Sequence, residues 1–417
     1  MTLNPWTGLP LENPYMDLYE VVNLLWVFSI LFIVLIYLKL DIVKSTLLIL
    51  HLSAIYLLND ILFPASYMSD QFRYMEATQA IRKGEMILTS LNPHDLVLTS
   101  GVGLTGSIFA LAPIPFINSV RSMAMVNFLI ILFLFVFLKK KRISNNAVDF
   151  FFLLYPSLLL YSSLALRDTI IFLFMFMSIY YFLLKRNFLL FLIFSAPLIV
   201  LKFQNFLIIC FSIVLFYFIK GGFRFYKILL TAFSLFLFYL LRDVPIERFT
   251  LGEAFSLNTL ESMRYALFAE NYGYDYSIVE KLGYNPANSI PEFILISMKG
   301  LFRFVLAPFI WSAENPFQLI QSLENIVIFV LIVVIVFSRK YFKETREMIL
   351  YLNLFLIIGL SIYGFAVYNL GSVSRYKFAF IGVYMLLSYY IIKRDNLLGR
   401  KINMNQHKLK NSQLLNY

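Results

Sequence analysis

Four polar clusters in this chain combine groups that can hold an anion or move a proton, and each interrupts or adjoins long apolar runs. The first is Ser69-Asp70-Gln71-Phe72-Arg73-Tyr74. A carboxylate at Asp70 could act as general base toward a hydroxyl, or help hold a metal–phosphate pair. Arg73 offers the planar fork that grips phosphate better than an ammonium does. On spacing alone the same residues also read as ordinary charges on a solvated loop. The second cluster is Arg167-Asp168, set between two apolar runs of membrane length. Ionisable residues at a membrane edge are costly unless paired or functional, so the pair is either part of a site or a wet hairpin tip among lipid headgroups.

The third cluster, Lys202, Gln204 and Asn205, lies between two apolar arms. Each arm is only about 14 residues, short for a core of ~30 Å. Either the cation and amides line a pocket below the surface, suited to a pyrophosphate or a sugar, or Lys202 snorkels. The fourth is Gly371-Ser372-Val373-Ser374-Arg375-Tyr376-Lys377, where small residues permit a close turn and two cations follow. Arg375 and Lys377 there stand on the outer side, against the positive-inside trend, which favours a functional role over the alternative of a lipid-headgroup contact. Arg264 sits in a long polar stretch, 242–291, with Glu261 and the aromatic run Tyr272-Gly273-Tyr274-Asp275-Tyr276. Aromatic faces beside carboxylates suit carbohydrate, and they equally suit the aromatic belt of a membrane protein.

The elements that must position these groups are membrane helices. Apolar residues make up 60% of the chain and charged ones 14%, against roughly a quarter charged in soluble domains, which excludes an ordinary soluble fold. Apolar runs of roughly 14–20 residues separated by short basic clusters imply a polytopic α-helical bundle, and the alternating segments of a β-barrel are missing. One Cys excludes an internal disulfide, and three His in no metal-binding spacing make a transition-metal site a poor reading. No glycine-rich nucleotide-binding motif occurs.

Residues 1–20 lack the basic start and small-residue cleavage site of a signal peptide. Spans are expected at 21–38, 45–63 and 124–138, with a polar outward loop at 64–96. The stretch 97–118, rich in Gly and Pro, is expected to lie at the interface or re-enter. Lys139-Lys140-Lys141-Arg142 and Lys185-Arg186 bracket a hairpin tipped by Arg167-Asp168, and a second hairpin tipped by Lys202 ends before Lys220. Further spans are expected at 228–241, 318–337, 348–367 and 378–392. An interfacial helix within 293–311 closes a large outer loop (242–313), and a basic cytoplasmic tail occupies 393–417. The expectation is all-α, a single transmembrane domain over 1–417 with about eleven spans, its N-terminus outside and its C-terminus inside. Most of the 35 Lys and Arg then fall on the inward side, so the net charge of +11 needs no nucleic acid to explain it.

The order of features resembles known families. An Asp-bearing outward loop, a Gly/Pro-rich juxtamembrane stretch, a span ending in basic residues and then YPSLLLYSSLALRD resemble the front half of GT-C type membrane glycosyltransferases. The stretches LKFQNFLII, LAPFIW with Glu324-Asn325 and NLGSVSRYKF are similar to integral-membrane proteins of bacterial surface-polysaccharide clusters, O-antigen and capsule repeat-unit polymerases among them. The chain departs from the GT-C pattern in placing two spans before the Asp loop. The resemblance implies a GT-C-like arrangement in the cytoplasmic (inner) membrane, with transfer of polyprenyl-(pyro)phosphate-linked glycans on the outer face. It makes Asp70 or Asp168 catalytic, and Arg73, Arg167, Lys202, Gln204, Asn205, Arg264, Arg375 and Lys377 substrate-binding. No cofactor is required, although a divalent cation can be accommodated. Partners would be the lipid bilayer, the lipid-linked glycans, and a flippase and chain-length regulator of the same pathway. The competing class is a lipid-linked oligosaccharide flippase or transporter, which tends to show internal repeats and midplane charges. Neither is evident in the sequence.

Overall fold

A computed structural model describes residues 17–59, 70–84, 100–220, 256–272, 286–338, 345–367 and 370–414, with short pieces at 62, 68, 239, 242–243, 245–246 and 249–250. Most of the expected 228–241 span, the aromatic run beyond Tyr272 and most of 64–96 outside 70–84 lie outside the described residues. The described residues are helical apart from a two-residue antiparallel ladder, β1 (Pro245–Ile246) with β2 (Phe249–Thr250). The chain divides into two compact units, the first made of Met1–Leu207 with Gly382–Tyr417 and the second of Ile208–Ile381.

In the first unit, α1 (Leu18–Leu38) and α5 (Val120–Lys140) run parallel. Near their starts Arg121 Nη2 stands 3.1 Å from Glu20 Oε2, a fully buried ion pair. Near their ends Lys140 lies over the Tyr37 ring. Between them in sequence, α2 (Ile42–Leu58) returns beside a broken helix made of α6 (Asn146–Leu154) and α7 (Pro156–Ser163). Lys44 bonds Asn146, His51 bonds the Leu153 carbonyl and Asn59 bonds the Ser163 carbonyl, a steady register along both. The break falls at Tyr155-Pro156 because proline lacks the N–H that would continue the ladder and is at home in a first turn. Then α8 (Asp168–Ile179) runs parallel to α5, Phe137 meeting Phe176 and Tyr180, and continues as a π-helical segment (Tyr180–Lys185). α9 (Phe188–Leu201) turns back along it, with Tyr181 stacked on Phe194, and α10 (Phe203–Lys220) leaves toward the second unit.

The turns after α1, α5 and the π segment contain Lys39, Arg142 and Arg186 in left-handed backbone. At this end the buried Asp149 carboxylate pairs with both Lys44 and Lys139, and Lys393 reaches the Ser144 carbonyl. Basic residues collected at one end of parallel helices satisfy both the helix dipoles and the positive-inside preference.

Two shorter helices complete the first unit. α3 (Asp70–Arg82) lies in the expected outward loop, yet Phe72, Tyr74 and Ala77 are buried, so it is a packed element. α4 (Gly101–Leu111) runs parallel to it, because Gly106 abuts Ala77 and Arg82 reaches the carbonyls of Ala110, Ala112, Ile114 and Pro115. Eleven residues span roughly 16 Å, too short to cross, where the stretch was expected to lie at the interface or re-enter.

In the second unit, α10 packs antiparallel to α14 (Arg346–Ala366), with Lys220 paired to Glu347 and Phe216 on Tyr351. α12 (Ile290–Leu306) meets α14 where Gly300 abuts Gly364, so closely that a Cβ on either would overlap the other's backbone. α13 (Pro316–Ser338) and the part of α15 (Leu370–Leu414) up to Ile381 complete the unit, α14 and α15 pairing through Phe355–Phe380 and Tyr363–Tyr376. α11 (Leu257–Tyr272) docks through Arg264, whose guanidinium lies over Phe365.

Among the described residues six helices are long and apolar enough to cross a membrane: Leu18–Leu38, Val120–Lys140, Asp168–Lys185, Phe203–Lys220, Pro316–Phe337 and Arg346–Ala366. The expected figure of about eleven is not confirmed by the described residues. Shorter apolar helices and the break at Tyr155-Pro156 stand in several of the expected places. Leu25, Trp26, Phe28, Phe32, Ile33 and Ile36 of α1 are exposed. Such a surface is stable against lipid and not against water.

Candidate functional site

The connection 164–167 between α7 and α8 interrupts the helices deep in the first unit. Leu164, Ala165 and Leu166 are fully buried, and their peptide groups would be costly there without partners. Side chains from three other helices supply them. Asn59 Nδ2 donates to the Ser163 carbonyl (2.8 Å). Asn127 Nδ2 donates to the carbonyls of Leu164 (2.6 Å) and Leu166 (2.8 Å). Gln71 Oε1 accepts from the Ala165 N–H (2.7 Å). Thr169 closes the far side by donating to the Tyr161 carbonyl (3.0 Å). Asn127 stands about seven residues, roughly 10 Å, inside α5 from its first residue, so the connection is recessed and is no wet hairpin tip.

Arg167, half-buried, follows this connection, and Asp168, buried, opens α8. A Cβ added at Gly101 would come within 2.5 Å of Arg167 Nη1 and 3.1 Å of the Val200 carbonyl. The guanidinium, the first residue of α4 and the end of α9 therefore meet. Lys202 caps α9 immediately beyond and is half-buried, while Gln204 is exposed. Asn205 is buried and its amide faces the Met175 sulfur. Asp70 opens α3 beside Gln71, so it lies next to the same connection, half-buried, and Arg73 one turn along is exposed. Asp70, Arg167, Asp168 and Lys202 thus all lie in or next to the segments that meet at this connection, the recess of the first unit.

The recess has a consistent electrostatic sense. α3 and α4 enter it by their N-termini from one side, and α8 and α10 begin at it from the other. Each N-terminus carries the positive end of a helix dipole. The C-terminus of α9 offsets part of this, and Arg167 lies against its last turn. With Arg167 and Lys202 added, the place favours an anion.

The second unit treats its cations differently. Lys377 is wholly buried, and its Nζ donates to the Ala307 carbonyl (3.2 Å) and to Asn325 Oδ1. Asn325 in turn donates to the carbonyls of Leu306 and Ala307, and Ser322 donates to that of Pro308. Arg264 is buried and held by both oxygens of Glu261 (3.0 and 3.1 Å), and Arg375 is half-buried. The expected outward cluster therefore divides between two compact units, with Arg264 and Lys377 in the interior of theirs.

Sequence reasoning missed Asn59, Gln71 and Asn127 as a set. The available signal was Asn127 inside an apolar run and Asn59 at the end of another, since an amide in lipid requires partners. Among the described residues no three His, Cys, Asp or Glu side chains gather as metal ligands would.

A polytopic helical membrane protein is the class these features define. Comparison with protein-family profiles, curated proteins and solved structures finds no match.

Proposed function

We propose that this chain is a membrane glycosyltransferase that joins polyprenyl-(pyro)phosphate-linked sugars or repeat units on the outer face of the cytoplasmic membrane, in surface polysaccharide assembly. The recess at Arg167 carries the reading, because it gathers two cations, two carboxylates and four helix N-termini below the start of α5. The resemblance of YPSLLLYSSLALRD and its surroundings to GT-C type enzymes supports the same reading.

In this mechanism the acceptor hydroxyl oxygen attacks C1 of the donor sugar, and the bond from C1 to the phosphate oxygen breaks. Asp70, the more accessible carboxylate, takes the hydroxyl proton. Polyprenyl (pyro)phosphate leaves, and Arg167, Lys202 and the helix N-termini meet the negative charge that grows on it. The lipid tail lies against the exposed apolar faces of the bundle.

The test is the polysaccharide ladder of cells carrying Arg167→Ala or Asp70→Ala protein that still inserts. Loss of long chains is expected, and an unchanged ladder overturns the proposal.

A second reading, a carrier of lipid-linked glycans, draws on the short helices α3 and α4, since carriers also aim half-helix N-termini at anionic groups. Purified protein in vesicles separates the two. A transferase forms a new glycosidic bond from lipid-linked donor, whereas a carrier moves the donor across the bilayer unchanged.

A further inference from the structure

The buried connection before Arg167 is held by side chains along its whole length. Four successive residues, Ser163 to Leu166, each have a backbone group bonded by a side chain from elsewhere in the first unit. The three side chains come from α2, α3 and α5, so the turn is fixed from three directions. All three are amides, which are uncharged and so do not compete with Arg167 for an anion. The Arg167 guanidinium then packs on Gly101, where even a methyl group would displace it.

We propose that Asn59, Gln71 and Asn127 are positioning residues, an amide clamp that holds 163–166 so that the Arg167 fork faces a phosphate bound in the recess. This rests on the reading of the recess as a phosphate site. A planar fork needs its base held, because bidentate contact tolerates little rotation, whereas an ammonium on a flexible stem does not. The clamp should therefore matter to an arginine at 167 and hardly matter to a lysine there.

The experiment uses the full-length chain purified in detergent, inorganic pyrophosphate as probe, and titration calorimetry beside thermal unfolding. Wild type is expected to bind. Gln71→Met, which removes the acceptor for the Ala165 N–H, should weaken binding about tenfold while the protein still unfolds cooperatively. In an Arg167→Lys background the same substitution should cost less than about twofold. Should Gln71→Met fail to fold, Asn59→Leu at the other end of the connection replaces it, with the same expectation.

Full affinity in a folded Gln71→Met protein overturns the clamp and leaves the phosphate recess standing. An equal loss in the Arg167→Lys background also overturns it, since the amide would then act independently of the guanidinium. A wild-type chain that binds no pyrophosphate overturns the recess, and the clamp with it.

Discussion

The two units solve one structural problem and put cations to opposite uses. Each contains a helix break within its buried interior, 164–167 in the first unit and 307–308 in the second. In each, one asparagine from a neighbouring helix donates to two carbonyls of the break, Asn127 to Leu164 and Leu166, Asn325 to Leu306 and Ala307. In the second unit the nearby cation is absorbed into the repair, for Lys377 bonds both Asn325 and the Ala307 carbonyl and has no exposed surface. In the first unit amides alone complete the repair, and Arg167 stands beside it, half-buried, against Gly101. On the proposed reading, a cation is left to a ligand only where other groups have already satisfied the backbone around it.

The largest expected effect comes from Lys377→Ala, which should sharpen this contrast. It strips the charged donor from Asn325 Oδ1, an orphaned acceptor at about 1–3 kcal/mol, while the Ala307 carbonyl keeps the Asn325 amide, and the cavity left by the lysine stem brings the loss to about 3 kcal/mol. Thermal or denaturant unfolding in detergent should show the loss. Lys377→Met should recover part of it, since an apolar chain of similar length fills the cavity that alanine leaves. If Lys377→Ala were as stable as wild type yet inactive, the lysine would belong with Arg167 as a ligand group and the comparison would fail.

The glycine contacts offer the next test. Gly300 in the second unit faces backbone, the Gly364 carbonyl lying 2.3 Å from where a Cβ would stand. Backbone cannot swing aside, so Gly300→Ala should force α12 and α14 apart and cost about 2 kcal/mol. A fall in the unfolding midpoint with loss of packing would be the readout, and an unshifted midpoint would mean that these helices are not locked together at this crossing.

How much of this was legible beforehand depends on the kind of signal. Arg167-Asp168 was visible because two charges in an apolar stretch need a reason. That they are recessed was not, since depth depends on Asn127 in another helix, 37 residues from Leu164. The Tyr155-Pro156 break was not anticipated, although proline's missing donor was a signal for it, whereas the glycines and prolines of 97–118 did mark a stretch whose helix, Gly101–Leu111, is short. α3 was hidden by its charges, because Glu76 and Arg73 mask a face on which Phe72, Tyr74 and Ala77 pack. Lys377 was noticed as a cation placed against the general bias. Its burial depends on Asn325, and no local pattern encodes a partner 52 residues away. The count of about eleven spans is not confirmed: six of the described helices are long and apolar enough, most of the expected 228–241 span lies outside the described residues, and helices such as Ile42–Leu58 and Phe188–Leu201 are shorter than any of those six.

Gly101→Ala is the smallest change and separates the units most finely. Its new methyl group would meet the tip of a flexible side chain, Arg167 Nη1 at 2.5 Å, and the Val200 carbonyl at 3.1 Å. The guanidinium can move where the Gly364 backbone cannot, and alanine at a helix start is no poorer than glycine. Stability should therefore change by less than about 1 kcal/mol. The site should change more, because the fork is pushed off the position that the connection gives it. Pyrophosphate affinity should drop severalfold, with the unfolding midpoint almost unmoved. That is the reverse of Gly300→Ala, for which the midpoint falls and pyrophosphate affinity per folded molecule is retained. If Gly101→Ala destabilised the protein as much as Gly300→Ala while binding stayed normal, the contact of Arg167 with α4 would be packing, and the distinction between a sealed cation and a working one would disappear.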